Sequence, residues 1–185
     1  PFALAAERPN VLVVRTDDQA YWALGFNGNK DIRTPNLDRF FAEGATFSHS
    51  FVTTPVCSPS RAGFLTGLHS FQVGIPDWIQ PKDREHGLGG RFVTLPEAFH
   101  RAGYQTAHFG KWHLGFRPED HPTRNGFDSF FGFVEGGQKP LGPTLEKDGQ
   151  PVEFKDRHLV EVLSDALMEK LEKRDPDWDK FPKFP

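Results

Sequence analysis

The segment NVLVV, residues 10–14, constrains the fold more than any other stretch. A continuous apolar run reads as a strand buried on both faces, and such strands belong to sheets covered by helices on either side. The run stops abruptly at Arg15-Thr16-Asp17-Asp18-Gln19, which puts two carboxylates at the carboxyl end of the expected strand. Downstream of it, helix-like and strand-like segments alternate. TPNLDRFFAEG has the grammar of a helix, with Thr34 as N-cap, Pro35 in the first turn, Leu37, Phe40 and Phe41 on one face, and Gly44 at the stop. ATFSHSFV, residues 45–52, reads as a strand, and SPSRAGFLTG as a helix opening at Pro59 and stopping at Gly67. Residues 68–92 read as loop. TLPEAFHRAG pairs a Thr94/Glu97 capping box with a closing Gly103. YQTAHF, residues 104–109, is a predicted strand running into GKWHLG, and GFDSFFGF, residues 126–133, a strand or turn. Residues 136–156 are polar and punctuated by Gly and Pro. Residues 159–174 form an amphipathic pattern with Leu163, Leu167 and Leu171 four apart. The alternation predicts an α/β fold, its sheet mixed but largely parallel, with helices on both faces.

Composition narrows the function classes. A chain of 185 residues fits one domain, and 37% hydrophobic content with 19 Phe supplies a core. A net charge of −3 gives no footing for nucleic acid or an anionic membrane surface. No transmembrane segment is expected, because no apolar stretch is long enough to span a bilayer. A single cysteine excludes a disulfide scaffold and a multi-thiolate zinc site. At the start, Ala3-Leu4-Ala5 has the small-x-small form of a signal-peptidase site, but a basic n-region and most of an apolar h-region are absent. Residues 1–8 are therefore read either as an export-signal remnant or as a mildly apolar tail, set apart from a domain over 9–185.

Three elements can carry chemistry. Asp17 and Asp18 would stand at the sheet edge where α/β folds bind ligands, and a hard divalent cation relieves the repulsion of adjacent carboxylates. The same pair also suits a solvated turn. Cys57 sits at a predicted helix start, where the macrodipole favours an anion, and Arg61 follows about one turn later. Together they make an oxyanion cradle, although a free cysteine is equally at home as a buried structural thiol. Hard cations prefer oxygen, so a thiolate at position 57 fits poorly beside Asp17 and Asp18 unless the metal is soft or the sulfur has been replaced. In GKWHLG, Lys111 and His113 are two apart and would share one side of an extended segment as a charge clamp and proton donor. The alternative is a surface loop anchored by Trp112.

In their order and wording, NVLVVRTDDQ, TPNLDRFFAEGATFSHSFV, PVCSPSRAGFLTG, GYQTAHFGKWHLG and GFDSFFGF resemble the type I, formylglycine-dependent sulfatases of the alkaline-phosphatase superfamily. The likeness runs from about Asn10 to Phe133 and loosens toward the helix at 164–174. It implies an alkaline-phosphatase-like α/β fold and hydrolysis of an aryl or carbohydrate sulfate ester. It also implies that Cys57 is oxidised to formylglycine by a maturation enzyme that reads Cys57, Pro59 and Arg61. The hydrated aldehyde is a gem-diol, which exchanges sulfur for oxygen and removes the conflict with a hard cation. By the same resemblance Asp17, Asp18 and position 57 bind Ca²⁺ (or Mg²⁺), Arg61 stabilises the diol, Lys111 contacts the sulfate, and His113 hydrogen-bonds the diol and assists its collapse. A plain serine could be sulfated but would lack the second hydroxyl needed to expel sulfate.

The resemblance also marks departures. Sulfatases are longer, and their second half supplies further metal ligands with another His and Lys. The chain therefore reads as the N-terminal part of a catalytic domain, expected to be inactive alone. The one Asp-His dipeptide, Asp120-His121, lies in a linker and reads as a decoy. Two rival functions share these residues: a phosphonate monoester or phosphodiester hydrolase of the same superfamily, and a non-catalytic protein that binds sulfated glycans. Family habit implies export to the periplasm, the lysosome or the outside of the cell.

Overall fold

The protein is described by a computed structural model covering residues 9–83 and 85–173. The expectations for residues 1–8 and for the chain end after Lys173 lie outside the described residues. Two compact units divide between Ser48 and His49.

The first unit is built on helix α1, Pro35–Glu43, and a 3₁₀ turn, Gly25–Asn27. Thr34 occupies the N-cap position, yet its hydroxyl does not cap the helix. It accepts from the Gly25 N–H at 2.8 Å and donates to Asp38 Oδ1 at 2.8 Å, while Asp38 Oδ1 also accepts from the Phe26 N–H at 2.7 Å. This network fastens the turn to the helix, and Phe26 packs against Phe41 with the rings tilted and their centroids 5.4 Å apart. Residues 10–14 carry no strand pairing, and Val11, Leu12, Val13 and Val14 are all more than half exposed. Residues 45–52 likewise pair with nothing as a strand, with Phe47 and Phe51 exposed. Both strand expectations are corrected for one reason: a strand exists through ladder hydrogen bonds to a neighbour, and among the described residues neither run has one.

The second unit holds a four-stranded sheet of β1 (Ala107–Lys111), β2 (Ser129–Phe133), β3 (Thr144–Lys147) and β4 (Gln150–Glu153), in the order β1-β2-β3-β4. β1 and β2 are parallel, and the other pairings are antiparallel. Around it lie α2 (Cys57–Thr66), the single turn α3 (Ser70–Val73), α4 (Leu95–Arg101) and α5 (Leu159–Glu172). The Thr94/Glu97 capping box forms as predicted. α2 opens at Cys57, two residues before the expected start. Pro59 is tolerated there because first-turn residues have no intrahelical N–H bond to lose. The hairpin β3–β4 lies inside the polar, Gly- and Pro-punctuated stretch 136–156; Asp148 (φ 48°) and Gly149 (φ 90°) supply the left-handed pair its turn needs.

Alternation along β2 splits the core between the two sheet faces. Phe130 joins Trp112, Leu114, Ile79, Leu88 and residues of α2 and α3. Phe133 joins Leu145 and Val162, with Phe131, Leu159 and Leu163 packed alongside. α5 thus covers one face and α2 the other. Burying side chains of this size contributes about 2–3 kcal/mol each. β1 and β2 meet at Gly110 and Gly132. A Cβ on Gly132 would lie 2.0 Å from the Gly110 carbonyl oxygen, so only glycine allows this contact.

Candidate active site

Cys57 is the first residue of α2 and is partly exposed. Ser58 and Pro59, beside it, are buried and pin the helix start in the core. Arg61, one turn on, points inward and is only 8% exposed. Its Nη1 donates to the Lys111 backbone carbonyl at 2.5 Å. An arginine retains its charge even when buried, and its planar fork makes such a bond directional. The first tie between the cysteine helix and GKWHLG is therefore Arg61 on the last residue of β1.

A second tie runs through Ile79. The Ile79 N–H donates to Ser58 Oγ at 3.1 Å, and the Ile79 carbonyl accepts from His113 Nε2 at 2.9 Å. A carbonyl can only accept, so Nε2 carries the proton and Nδ1 of a neutral ring carries the lone pair. His113 is 1% exposed. Its φ of 57° breaks the period-two geometry from which a shared side with Lys111 was expected. Gly136 packs close against its ring, since a Cβ there would come within 2.6 Å of Cε1. The half-exposed Trp78 meets the ring edge-on, with centroids 6.4 Å apart. Burial, together with the positive charge of Arg61, pushes the neighbouring His108 down to about 4, against the opposing pull of its bond to the Lys111 carbonyl. It is neutral at pH 7.

Cys57, Arg61, Lys111 and His113 all lie in the second unit. Asp17 and Asp18 belong to the other unit, in a bend where Asp18 has a φ of 55°. Among the described residues no group of three or more His, Cys, Asp or Glu side chains could hold a metal ion. Ca²⁺ takes six to eight oxygens, and two carboxylates with one oxygen at position 57 do not complete that shell. The described donors alone therefore do not fit a closed calcium site.

Asp120-His121 is structural. The fully buried Asp120 carboxylate accepts from Arg117 Nε (2.8 Å), Arg117 Nη2 (2.7 Å) and the Gly89 N–H (2.8 Å). The hydrogen bond to Asp120 raises the Arg117 pKa. His121 pairs with Glu146 at 2.5 Å. The sequence does not single out Ser58, Ile79 or His108. Ser58 and Ile79 reach His113 only through the folded chain, while the signal for His108 is a lone imidazole inside a Phe-rich strand pair.

A mixed sheet with a cysteine-bearing helix tied to the end of a parallel strand has the architecture of the alkaline-phosphatase-like sulfatase fold. The chain belongs to the sulfatase family, whose model matches residues 9–181. It is 39% identical over 135 residues to the N-acetylgalactosamine-6-sulfatase of Mus musculus, covering 69% of this chain and 26% of that protein. It is 36% identical over 139 residues to the steryl-sulfatase of Homo sapiens, covering 69% and 24%. Among solved structures, that of Ps i-CgsB superposes with a TM-score of 0.80 at 29% identity, over 85% of this chain and 40% of that one. The structure of BT4656 in complex with its substrate D-glucosamine-2-N,6-O-disulfate gives 0.76 at 31% identity, over 92% and 32%. The chain spans about a quarter of the length of the curated relatives it matches.

Proposed function

We propose that this chain carries the nucleophile of a sulfatase that hydrolyses the sulfate ester of a sugar, with Cys57 converted to formylglycine by a maturation enzyme. The observation that most supports this reading is the double tie, Arg61 to Lys111 and Ser58 through Ile79 to His113. It joins the segment that carries Cys57 and Arg61 to the segment that carries Lys111 and His113. The sugar assignment draws on relatives whose names or titles specify sugar sulfates.

In this reading Arg61 donates to the hydrated aldehyde at position 57, and the Lys111 ammonium binds a sulfate oxygen. One hydroxyl at position 57 gives its proton to solvent as its oxygen bonds to sulfur. The bond from sulfur to the sugar oxygen breaks, its electron pair going to that oxygen, which takes a proton back from solvent and leaves as the alcohol. His113 then takes the proton of the second hydroxyl at Nδ1. The carbonyl re-forms as the carbon–oxygen bond to sulfate breaks, its electron pair leaving with the sulfate, and water restores the diol. Preorganised donors and charges of this kind stabilise the charge that develops on the sulfate oxygens. Asp17 and Asp18 are proposed as two of the hard oxygen donors for Ca²⁺ or Mg²⁺, a set that the described residues leave incomplete.

The test uses the full-length protein that contains this chain. A 6-O-sulfated hexosamine, an aryl sulfate and an aryl phosphonate monoester are offered to it and to Cys57→Ala. Sulfate release that Cys57→Ala abolishes supports the reading. Faster turnover of the phosphonate overturns it in favour of a phosphonate hydrolase, and binding of the sugar without hydrolysis overturns it in favour of a glycan-binding protein.

A further inference from the structure

His108 takes no part in this chemistry, yet it shares an acceptor with Arg61. Its Nε2 lies 3.1 Å from the Lys111 carbonyl oxygen that receives Arg61 Nη1 at 2.5 Å. The reach from residue 108 to the carbonyl of residue 111 depends on the bend at Gly110, whose φ is 101°. The ring is clamped on its other sides. It stacks on Phe130 at 5.7 Å, meets Trp112 edge-on at 5.5 Å and leans on Phe127 at 5.2 Å. An imidazole held on several sides has one orientation, and so does the hydrogen bond it donates.

We propose that His108 is a positioning residue: as a second donor on the Lys111 carbonyl, it fixes the peptide plane against which the Arg61 guanidinium is set, and so aims Arg61 and Lys111 at position 57. The inference rests on the sulfatase reading. The Lys111 carbonyl has two lone pairs, and with both engaged its peptide plane cannot tilt. With one donor removed, the plane is free to follow the guanidinium. Small misplacements of catalytic groups cost rate far beyond their cost in stability. The depressed pKa of His108 agrees, because a second cation beside Arg61 would push the guanidinium away.

The experiment compares His108→Leu and His108→Gln in the full-length, formylglycine-bearing enzyme. Leucine fills the aromatic cage without a donor; glutamine keeps an N–H within reach of the carbonyl. His108→Leu is expected to lower kcat by roughly ten- to a hundredfold, with formylglycine content unchanged, and His108→Gln to restore most of it. Wild-type kcat in His108→Leu overturns the proposal, as does a loss that His108→Gln fails to reverse. Should His108→Leu not fold, His108→Met takes its place, since an unbranched side chain adapts to the cage. A wild-type enzyme that hydrolyses no sulfate ester refutes the sulfatase reading itself, a result distinct from either outcome at His108.

Discussion

Ser58→Ala isolates the link between the cysteine helix and His113. Ser58 is fully buried, and its Oγ is the acceptor for the Ile79 N–H at 3.1 Å. Ile79 is itself 1% exposed, so water cannot replace the lost acceptor. Leaving a buried N–H unsatisfied costs about 1–3 kcal/mol. In a full-length protein the size of the matched curated relatives, about 2 kcal/mol should lower the melting temperature by roughly 1–2 °C. The Cys57, Pro59 and Arg61 that the proposed maturation requires are untouched, so formylglycine content should match wild type. The Ile79 carbonyl that holds His113 Nε2 loses its anchor at the neighbouring N–H, so kcat should fall along with stability. Thermal melts, a peptide mass measurement and steady-state kinetics on one preparation read all three. A stability change within about 0.5 kcal/mol, the range of an inert surface substitution, would refute the claim that Ser58 holds the Ile79 segment.

Two further predictions use the same geometry. Gly136→Ala places a Cβ 2.6 Å from His113 Cε1; it should displace the ring and cut kcat by about tenfold or more, seen as a shifted His113 imidazole resonance. His108, depressed to about 4 in the folded state from 6.5, binds fewer protons folded than unfolded between those values. Its contribution to stability is therefore complete above pH 6.5 and is lost as pH falls to 4, by about 3 kcal/mol in all. Urea midpoints across that window should fall with acid in wild type and fall less in His108→Gln.

Legibility in the sequence followed locality. The Thr94/Glu97 box, α5 and the Gly67 stop of α2 were readable because caps, C-terminal glycines and four-residue spacing act within a few residues, while α2 opens two residues before the expected Pro59. β1 and β2 were readable from their aromatic runs. Residues 10–14 and 45–52 misled because apolar character makes a strand possible but only a partner makes it real. The β3–β4 hairpin was hidden by the surrounding Gly and Pro, although Asp148-Gly149 is a strong turn signal. At the site, Cys57, Arg61, Lys111 and His113 were read from motif, and the structure places them in one unit. The bonds that orient them were not legible: Ser58 to Ile79 spans 21 residues, and Ile79 to His113 spans 34. Contacts of that range are set by packing.

On the proposed chemistry, the side chain at position 57 acts as an aldehyde hydrate and not as a thiol. Mass analysis of the peptide spanning Pro55 to Arg61, from protein isolated out of the cells that naturally make it, tests this most directly. The expected result is a formyl group at position 57 that a hydrazide reagent captures. An unmodified thiol that alkylates like any free cysteine, in a preparation that still releases sulfate, would contradict it.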